Sequence, residues 1–294
     1  MEWKSRRIEA ILEQALTEDK ATSDVTTALT IEPGLRAAAT VIAKEECVLS
    51  GLGCISRFLD IFVGLDGKSS GRHEVVSHPE IFDGVRVRKG QAVAVIRHNA
   101  RVILGCERVI LNLMQRMSGI ATLTRRYVEA VEDTGVKVLD TRKTVPGLRI
   151  LDKYAVCCGG GENHRLDLSD GILIKNNHIT LGGGIEKVLE RAKEKRKPGQ
   201  TIDIEVRSPH ELELVLDHGA ESLLLDNMTP AEVKKSVSVV RQRGFDIPIE
   251  ASGGITLENI RKYALAGPDY ISVGALTHSA PAVDLSMRIT AEIY

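Results

Sequence analysis

The sequence predicts an α/β protein in which a small mixed α+β unit is followed by a short or open β/α barrel. From residue 136 onward, short apolar runs alternate with helix-like segments, which is typical of a parallel sheet with crossover helices. Before residue 136, short strands with glycine turns lie between segments of helical periodicity. The strands of the second part also end in charged or glycine-rich residues, as strands do at the rim of a ligand-binding barrel.

Composition limits the classes of function. The chain has 294 residues and a formal net charge of −1, which suits one large domain or two ordinary ones. The balanced charge argues against a nucleic-acid or membrane-surface binder, and no run reaches the ~20 apolar residues of a membrane helix. The first 16 residues lack a long apolar core, so we expect no signal peptide. The five cysteines are an odd number without zinc-like spacing, which favours buried thiols, including Cys157 and Cys158, in a reducing cytoplasm.

The first part of the chain contains helical and strand-like segments in turn. Residues 2–16 place five apolar side chains on one helical face, and residues 17–28 are polar and predicted as a loop. The remaining predictions are a strand pair or bent strand over 36–49, a helix over 51–62, short strands over 75–97 with turns at 83–84 and 89–90, and one or two helices over 101–132, interrupted near Ser118 and Gly119.

The second part predicts six strands with helices in most of the gaps. The strands are 136–139, 172–174, 201–206, 222–225, 247–250 and 270–273, and the helices are 185–195, 209–218, 230–243 and 256–265. Two helices begin with a capping residue before proline, Ser208 and Thr229. Six strands rather than eight predict a barrel that is short or open.

Cationic side chains gather near two of these strand ends. Arg142 and Lys143 follow the first strand, Lys175 follows the second, and His164 and Arg165 lie between them. One charged strand end is commonly just a solvated residue. Five groups that are or can become cations repel one another unless an anion completes the cluster, so we expect a site for carboxylates or phosphates.

Two further residue types mark the later strand ends. Glu205 and Asp226 are carboxylates that suit Mg²⁺, partly through water, although each could instead pair with a rim cation. Ser252, Gly253 and Gly254 follow one strand, and Val273, Gly274 and Ala275 follow the last. Glycine lets backbone N–H groups approach a phosphate closely, but either glycine turn alone is common at such positions.

Several motifs together resemble one enzyme family. TRKTVPGLR, GGGENHRLDLSDGILIKNNH, LLLDN, EASGGI and SVGALTHS occur in the order and spacing of the quinolinate phosphoribosyltransferase family. SDVTT, AKEECVLSGL and GCERVILNLMQRMSGIAT in the first part are also similar, so the resemblance covers nearly the whole chain.

The resemblance implies an architecture and an assembly. It implies an N-terminal α/β sandwich domain (1–115), an incomplete α/β barrel (116–277), and a segment 278–294 that packs back on the first domain. It also implies a homodimer, because the family's active site lies between one subunit's barrel and its partner's N-terminal domain, and it leaves open whether dimers form hexamers.

The resemblance also implies roles for individual residues. Quinolinate and phosphoribosyl pyrophosphate would be bound by Arg108 from the partner subunit and by Thr141, Arg142, Lys143, His164, Arg165 and Lys175. Glu205 and Asp226 would lie near Mg²⁺ and the ribose, with Lys143 and Lys175 completing the catalytic set. Ser252–Gly254 and Val273–Ala275 would bind the 5-phosphate. The family often has an acidic residue at position 176, where this chain has Asn176.

The implied reaction converts quinolinate and phosphoribosyl pyrophosphate into nicotinate mononucleotide, CO₂ and pyrophosphate with Mg²⁺, a step of NAD biosynthesis. Three alternatives stay open. They are a related phosphoribosyltransferase for another pyridine or pyrrole carboxylate, a barrel aldolase or isomerase with a Schiff base on Lys143 or Lys175, and a non-catalytic phosphosugar sensor. The complete set of cationic positions favours the dicarboxylate.

Overall fold

The computed structural model describes residues 1–67 and 72–292, and its contacts divide the chain into two compact units. Unit 1 comprises Met1–Arg125, Val145–Gly160 and Ser279–Tyr294, and unit 2 comprises Arg126–Thr144 and Gly161–His278. The predicted domains 1–115 and 116–277 stay predictions, because a division by contacts does not test independent folding. Residues 293 and 294 of the predicted segment 278–294 lie outside the described residues.

The described elements are as follows in chain order. The helices are α1 (Arg6–Glu18), α2 (Val25–Thr30), α3 (Leu52–Asp66), α4 (Ala100–Glu129), α5 (Arg149–Cys158), α6 (Asn176–Gly182), α7 (Ile185–Lys195), α8 (Pro209–Asp217), α9 (Pro230–Gln242), α10 (Ile260–Ala264) and α11 (Ala275–His278). The strands are β1 (Arg36–Ala43), β2 (Cys47–Val48), β3 (Glu74–Val76), β4 (Arg86–Val87), β5 (Ala92–Asn99), β6 (Lys137–Leu139), β7 (Ile172–Ile174), β8 (Ile202–Val206), β9 (Ser222–Asp226), β10 (Ile249–Ser252), β11 (Tyr270–Ser272) and β12 (Leu285–Ala291). Within the described ranges, no helix is both long enough and apolar enough to span a bilayer.

Unit 1 is built on an antiparallel sheet with the order β12-β1-β5-β3. Every second residue of β1 is buried, namely Ala37, Ala39, Val41 and Ala43, so this face contributes small apolar side chains to the core. The predicted strand pair of 36–49 is two separate strands, because β1 pairs with β5 and β12 while β2 pairs with β4.

The predicted loop over 17–28 is wrong over most of its length, because α1 continues to Glu18 and two further helical segments follow. A short 3-10 helix (Ala21–Ser23) precedes α2, and Asp24 caps α2 by accepting hydrogen bonds from the backbone N–H groups of Thr26 (2.9 Å) and Thr27 (3.3 Å). Thr27 is the one residue of α2 that is buried. Such a helix carries no apolar periodicity, so only the capping residue could have signalled it.

The predicted interruption near Ser118 and Gly119 is also wrong, because α4 is continuous over 30 residues. Ser118 is buried, and its hydroxyl accepts from the N–H of Ser50 (3.0 Å) and donates to the Ser50 carbonyl (3.2 Å). A Cβ at Gly119 would lie 2.1 Å from the Pro281 carbonyl oxygen. Glycine at 119 therefore permits a close approach of the chain and does not end the helix.

The expected burial of all five thiols holds for Cys47, Cys54 and Cys106, but Cys157 is exposed and Cys158 is half-buried. These two residues end α5, which no periodicity predicted. Leu151, Ala155 and Val156 form its buried face, and position 157 falls outside that face.

Unit 2 contains the predicted parallel sheet. Its six described strands have the order β6-β11-β10-β9-β8-β7, so the first two strands of the sheet lie at opposite edges and the barrel is open between them. Ser208 and Thr229 cap α8 and α9 as predicted, accepting from the N–H groups of Glu211 and Glu232. β10 spans residues 249–252 rather than the predicted 247–250, so Ser252 ends the strand instead of following it.

Candidate active site

The inner face of the open barrel follows from the strand registers. Glu205 pairs in register with Leu224, which pairs with Glu250, and one layer further along Asp226 pairs with Ser252, which pairs with Ser272. Side chains of paired residues point to the same face of a sheet, so these side chains line one surface. A pocket of about 610 Å³ lies at the carboxyl ends of the strands. It is lined by Thr141–Lys143, His164, Arg165, Leu173, Lys175, Glu205, Leu224, Asp226, Asn227, Glu250, Ser252–Thr256, Ser272–Ala275 and His278.

Every predicted site residue of unit 2 lines this pocket. Arg108, which belongs to unit 1, is not among the lining residues; it lies on α4 with an exposed side chain. The pocket also contains residues that the sequence reasoning missed, which are Leu173, Leu224, Asn227, Glu250, Ile255, Thr256, Ser272 and His278. Strand alternation could have found several of them, because Leu173 lies two residues before Lys175 and Glu250 lies two before Ser252.

Lys143 is held by its backbone and by a close approach to glycine. Its N–H donates to Thr141 Oγ1 (3.1 Å), and its carbonyl accepts from the hydroxyl of the buried Thr277 (2.9 Å). A Cβ at Gly274 would lie 3.0 Å from Lys143 Cδ and 3.3 Å from His278 Nε2. The lysine stem therefore crosses the last glycine turn at a distance that a larger residue would disturb.

Glu205 and Asp226, the predicted metal ligands, both form ion pairs with rim cations, which was the alternative prediction for each. Glu205 is 6% exposed and accepts from Lys175 Nζ (2.6 Å) and from the backbone N–H of Asn176 (3.2 Å). Asp226 Oδ2 lies 3.2 Å from Arg207 Nε. The contact from position 176 comes from the backbone, so it does not depend on the side chain there. Lys175 Nζ is engaged by the Glu205 carboxylate rather than lined by apolar groups, which argues against a Schiff base at this lysine.

His164 is fixed at three points. Its backbone N–H donates to Oδ1 of the fully buried Asp140 (2.9 Å), and Asn163 Nδ2 donates to the other oxygen of Asp140 (2.5 Å). His164 Nδ1 accepts from the N–H of Arg165 (2.7 Å), and Nε2 lies 3.2 Å from Glu250 Oε2. Because Nδ1 is an acceptor, the hydrogen-bond pattern assigns a neutral ring with its proton on Nε2.

Burial lowers the pKa of the Arg165 guanidinium, and the nearby positive charge of Arg142 lowers it further. The carboxylates of Asp203, Asp170 and Glu205 act in the opposite direction. The pocket thus holds two guanidinium groups close enough to repel each other. A bound anion would relieve this repulsion.

The glycine turn after β10 is shaped by Asn227. Gly253 has φ +94°, and a Cβ there would lie 2.2 Å from Asn227 Oδ1. Gly254 also has a positive φ (+63°), but a Cβ on it would meet nothing within 4 Å. The space beside the Gly254 backbone is therefore open, as close approach of a phosphate oxygen to this turn would require.

The residues also fit the magnesium ion that the sequence predicts. Among the residues that the structure describes, no three His, Cys, Asp or Glu side chains are placed to hold a metal together. Mg²⁺ is commonly bound by one or two carboxylates, with water and substrate phosphates as the other ligands. Glu205 and Asp226 both line the pocket and supply this partial set.

Comparison with known proteins gives matches over nearly the whole chain. Residues 24–118 match the model of the quinolinate phosphoribosyl transferase N-terminal domain, and residues 120–288 match that of its C-terminal domain. A nicotinate-nucleotide pyrophosphorylase [carboxylating] of Mycobacterium leprae is 39% identical and covers 95% of both chains. A probable enzyme of the same name from Bacillus subtilis is 37% identical over 97% of this chain and 94% of the relative. The crystal structure of NadC from Streptococcus pyogenes is 36% identical, with a TM-score of 0.88 over 97% of each chain.

Proposed function

This chain belongs to the quinolinate phosphoribosyltransferase family, and we propose that its barrel pocket joins quinolinate to phosphoribosyl pyrophosphate with loss of CO₂. The products are nicotinate mononucleotide, CO₂ and pyrophosphate, as de novo NAD biosynthesis requires. One observation carries the proposal: a single pocket holds four permanent cations, two rim carboxylates and two glycine turns.

The cations bind the two neighbouring carboxylates of quinolinate. Arg142 and Arg165 bind carboxylates bidentately, while Lys143 and Lys175 act as point charges. Burial and the charge of Arg142 lower the pKa of the Arg165 guanidinium, so a bound carboxylate would compensate a cation that is costly to keep there. The partner subunit's Arg108 is proposed to add a further cation.

The other side of the reaction uses the sugar diphosphate. The turns at Ser252–Gly254 and Val273–Ala275 bind the 5-phosphate through backbone N–H groups. Glu205 and Asp226 would hold Mg²⁺, partly through water. Glu205 already accepts a hydrogen bond from Lys175 and Asp226 one from Arg207, which leaves fewer oxygen lone pairs for direct contact with the ion. When bound, Mg²⁺ supplies positive charge that neutralises the departing pyrophosphate.

The chain's own residues act through positioning and charge. Quinolinate is held so that its ring nitrogen attacks the anomeric carbon, and the C–O bond to pyrophosphate breaks with its electron pair on the leaving oxygen. The ring nitrogen is then positive, so the bond to the 2-carboxylate breaks with its electron pair stabilised on C2 as an ylide. CO₂ leaves, and C2 takes a proton from solvent. No covalent intermediate with a side chain is needed.

The test is a turnover assay with purified protein, quinolinate, phosphoribosyl pyrophosphate and Mg²⁺. Mass spectrometry should find nicotinate mononucleotide, and a ¹³C label in the 2-carboxylate should appear in CO₂ in equal amount. Nicotinate is the matched control, because it lacks the second carboxylate and should react far more slowly. Equal turnover of nicotinate, or a product that keeps both carboxylates, would contradict the proposal.

We also propose that the enzyme works in the cytoplasm as a dimer with shared active sites. Arg108→Ala and Lys175→Ala should each be inactive alone. After subunit exchange, about a quarter of the sites should carry both native residues if they come from different subunits. No recovery after exchange, shown by mass-tagged subunits, would exclude a shared site.

A further inference from the structure

Glu250 is a buried carboxylate to which the proposed reaction gives no task. It lies on the inner face of β10 and is 9% exposed, yet it lines the pocket beside Leu224. Burying a carboxylate is costly unless hydrogen bonds or opposite charges compensate. A carboxylate in a pocket that binds a dianion also opposes substrate binding, so its presence requires another reason.

The geometry around His164 supplies that reason. Glu250 Oε2 lies 3.2 Å from His164 Nε2, on the side of the ring opposite to the contact between Nδ1 and the Arg165 N–H. The two contacts require opposite roles of the two ring nitrogens. Nε2 must carry the proton and Nδ1 must accept one, and an acceptor at Glu250 selects this tautomer.

Glu250 makes few competing contacts. Within residues 1–67 and 72–292, its other oxygen, Oε1, has no hydrogen-bond partner. Asp203 on β8 is close enough for its charge to be coupled to both Glu250 and His164. The one described hydrogen-bonding or ion-pair contact of the Glu250 side chain is therefore with His164, and a substitution at Glu250 should act through that ring.

We propose that Glu250 is a positioning residue that locks His164 as the Nε2–H tautomer and thereby fixes the backbone at Arg165. This inference rests on the proposed function, in which Arg165 binds a substrate carboxylate. Because the Arg165 N–H donates to His164 Nδ1, the backbone from which the Arg165 guanidinium extends into the pocket is held in one position. A binding group that is fixed before the substrate arrives loses less freedom on binding.

A double-mutant cycle tests whether Glu250 acts through His164. Glu250→Ala should lower kcat/KM for quinolinate by about 10- to 100-fold, because the Arg165 segment loses its fixed position. Glu250→Gln should recover most of this loss, since its amide oxygen still accepts from Nε2–H. In a His164→Ala background, Glu250→Ala should change kcat/KM by less than about twofold. Glu213→Ala is the matched control, because Glu213 is exposed on α8 and pairs with Arg243.

Nitrogen NMR of ¹⁵N-histidine-labelled protein gives a readout that does not depend on activity. The His164 signal, assigned by its loss in His164→Ala, should show the Nε2–H tautomer in the native protein and in Glu250→Gln. It should lose this pattern in Glu250→Ala, with the folded state checked by near-UV circular dichroism.

Three results would overturn the inference. The first is an unchanged His164 tautomer in Glu250→Ala. The second is a loss of kcat/KM on Glu250→Ala that is equally large in the native and the His164→Ala backgrounds. The third is a Glu250→Gln variant whose kcat/KM is as low as that of Glu250→Ala. If the native protein forms no product, the proposed function fails, whereas the spectra still decide whether Glu250 sets the tautomer.

Discussion

The two sheets of this protein use their inner faces differently. In the antiparallel sheet of unit 1, β1 buries Ala37, Ala39 and Val41 in an apolar core. In the open barrel of unit 2, the equivalent face carries Glu205, Glu250 and other polar residues near the strand ends. The first face stabilises the fold by removing apolar surface from water, whereas the second needs a partner for each buried charge.

This contrast has a direct consequence for substitutions. A truncation in the apolar core should lower the free energy of unfolding and leave the chemistry of correctly folded molecules unchanged. A truncation on the polar face should remove activity from molecules that still fold. The four predictions below test this separation, beginning with the largest effect.

Loss of a pocket cation should abolish turnover. We expect Arg142→Ala and Lys175→Ala each to lower kcat/KM for quinolinate by more than about a thousandfold, because the dianion loses a charged partner that is held in place. Steady-state kinetics measure the loss, and circular dichroism and thermal unfolding should show that the fold survives. Lys175→Ala also leaves Glu205 without its ammonium, so its melting temperature should fall more than that of Arg142→Ala.

The control for both variants is Lys195→Ala. Lys195 is exposed at the end of α7 and does not line the pocket, so its loss should leave kcat/KM unchanged. Near-native activity in either pocket variant would show that the assigned dianion site is wrong. It would also mean that the polar inner face of the barrel is not explained by substrate binding.

The opposite behaviour is expected for the core of unit 1. Phe58 on α3 is fully buried, and Phe58→Ala should lower the free energy of unfolding by about 3–5 kcal/mol through lost burial and a cavity. Urea unfolding measures this loss, and kcat/KM per folded molecule should stay within about twofold of the native value. A large loss of kcat/KM with little loss of stability would mean that the two faces are not separate in function.

The sequence predicted the barrel better than the first unit, for a physical reason. Each barrel strand is a short apolar run between polar loops. The capping residues Ser208 and Thr229 mark the starts of α8 and α9 in the sequence. In unit 1, the signal at Ser118 and Gly119 was misleading, since a serine with its own backbone partner and a glycine at a close approach do not break a helix. Only the contacts in the folded protein distinguish these cases.

The same limit applied to the site. The cations and glycine turns of unit 2 were predicted because they follow strand ends, where a rim is expected. Glu250 lay within the predicted strand 247–250 but was not assigned to the site, and only the register of β10 shows that it shares an inner face with Ser252. Nothing in the sequence pattern marked Arg108, which lies on a long helix, and its role stays a prediction from the family resemblance.

A smaller effect is expected from alanine substitutions at two glycines. Gly274 is needed for space beside Lys143, whereas Gly244 is needed for its positive φ. Gly274→Ala would bring a Cβ to 3.0 Å from Lys143 Cδ, so the lysine must shift. We expect KM for phosphoribosyl pyrophosphate to rise about tenfold with little change in stability. Gly244→Ala, outside the pocket, would meet nothing within 4 Å but has φ +80°. It should cost about 1–2 kcal/mol of stability and leave KM unchanged, and the reverse pattern would contradict both assignments.

The smallest effect concerns the cap of α2 in unit 1. The Thr27 hydroxyl and backbone N–H groups donate to Asp24, and these bonds hold the pKa of its carboxyl below the usual value of 3.8. Asp24→Ala should therefore lower the free energy of unfolding by about 1 kcal/mol near neutral pH, with no change in kcat/KM. Urea unfolding at a series of pH values measures the difference between the variant and the native protein.

The sign of the pH dependence follows from the lowered pKa. A carboxyl that titrates lower in the folded state stabilises the protein above its unfolded pKa, and this contribution is lost as the pH falls through the folded pKa. The difference between native protein and Asp24→Ala should thus be constant near neutral pH and narrow below about pH 4. Glu32→Ala, at an exposed position just after α2, should show neither effect. A difference that widened on acidification would mean that the cap does not act through the ionised carboxylate, and that α2 is held by the burial of Thr27 instead.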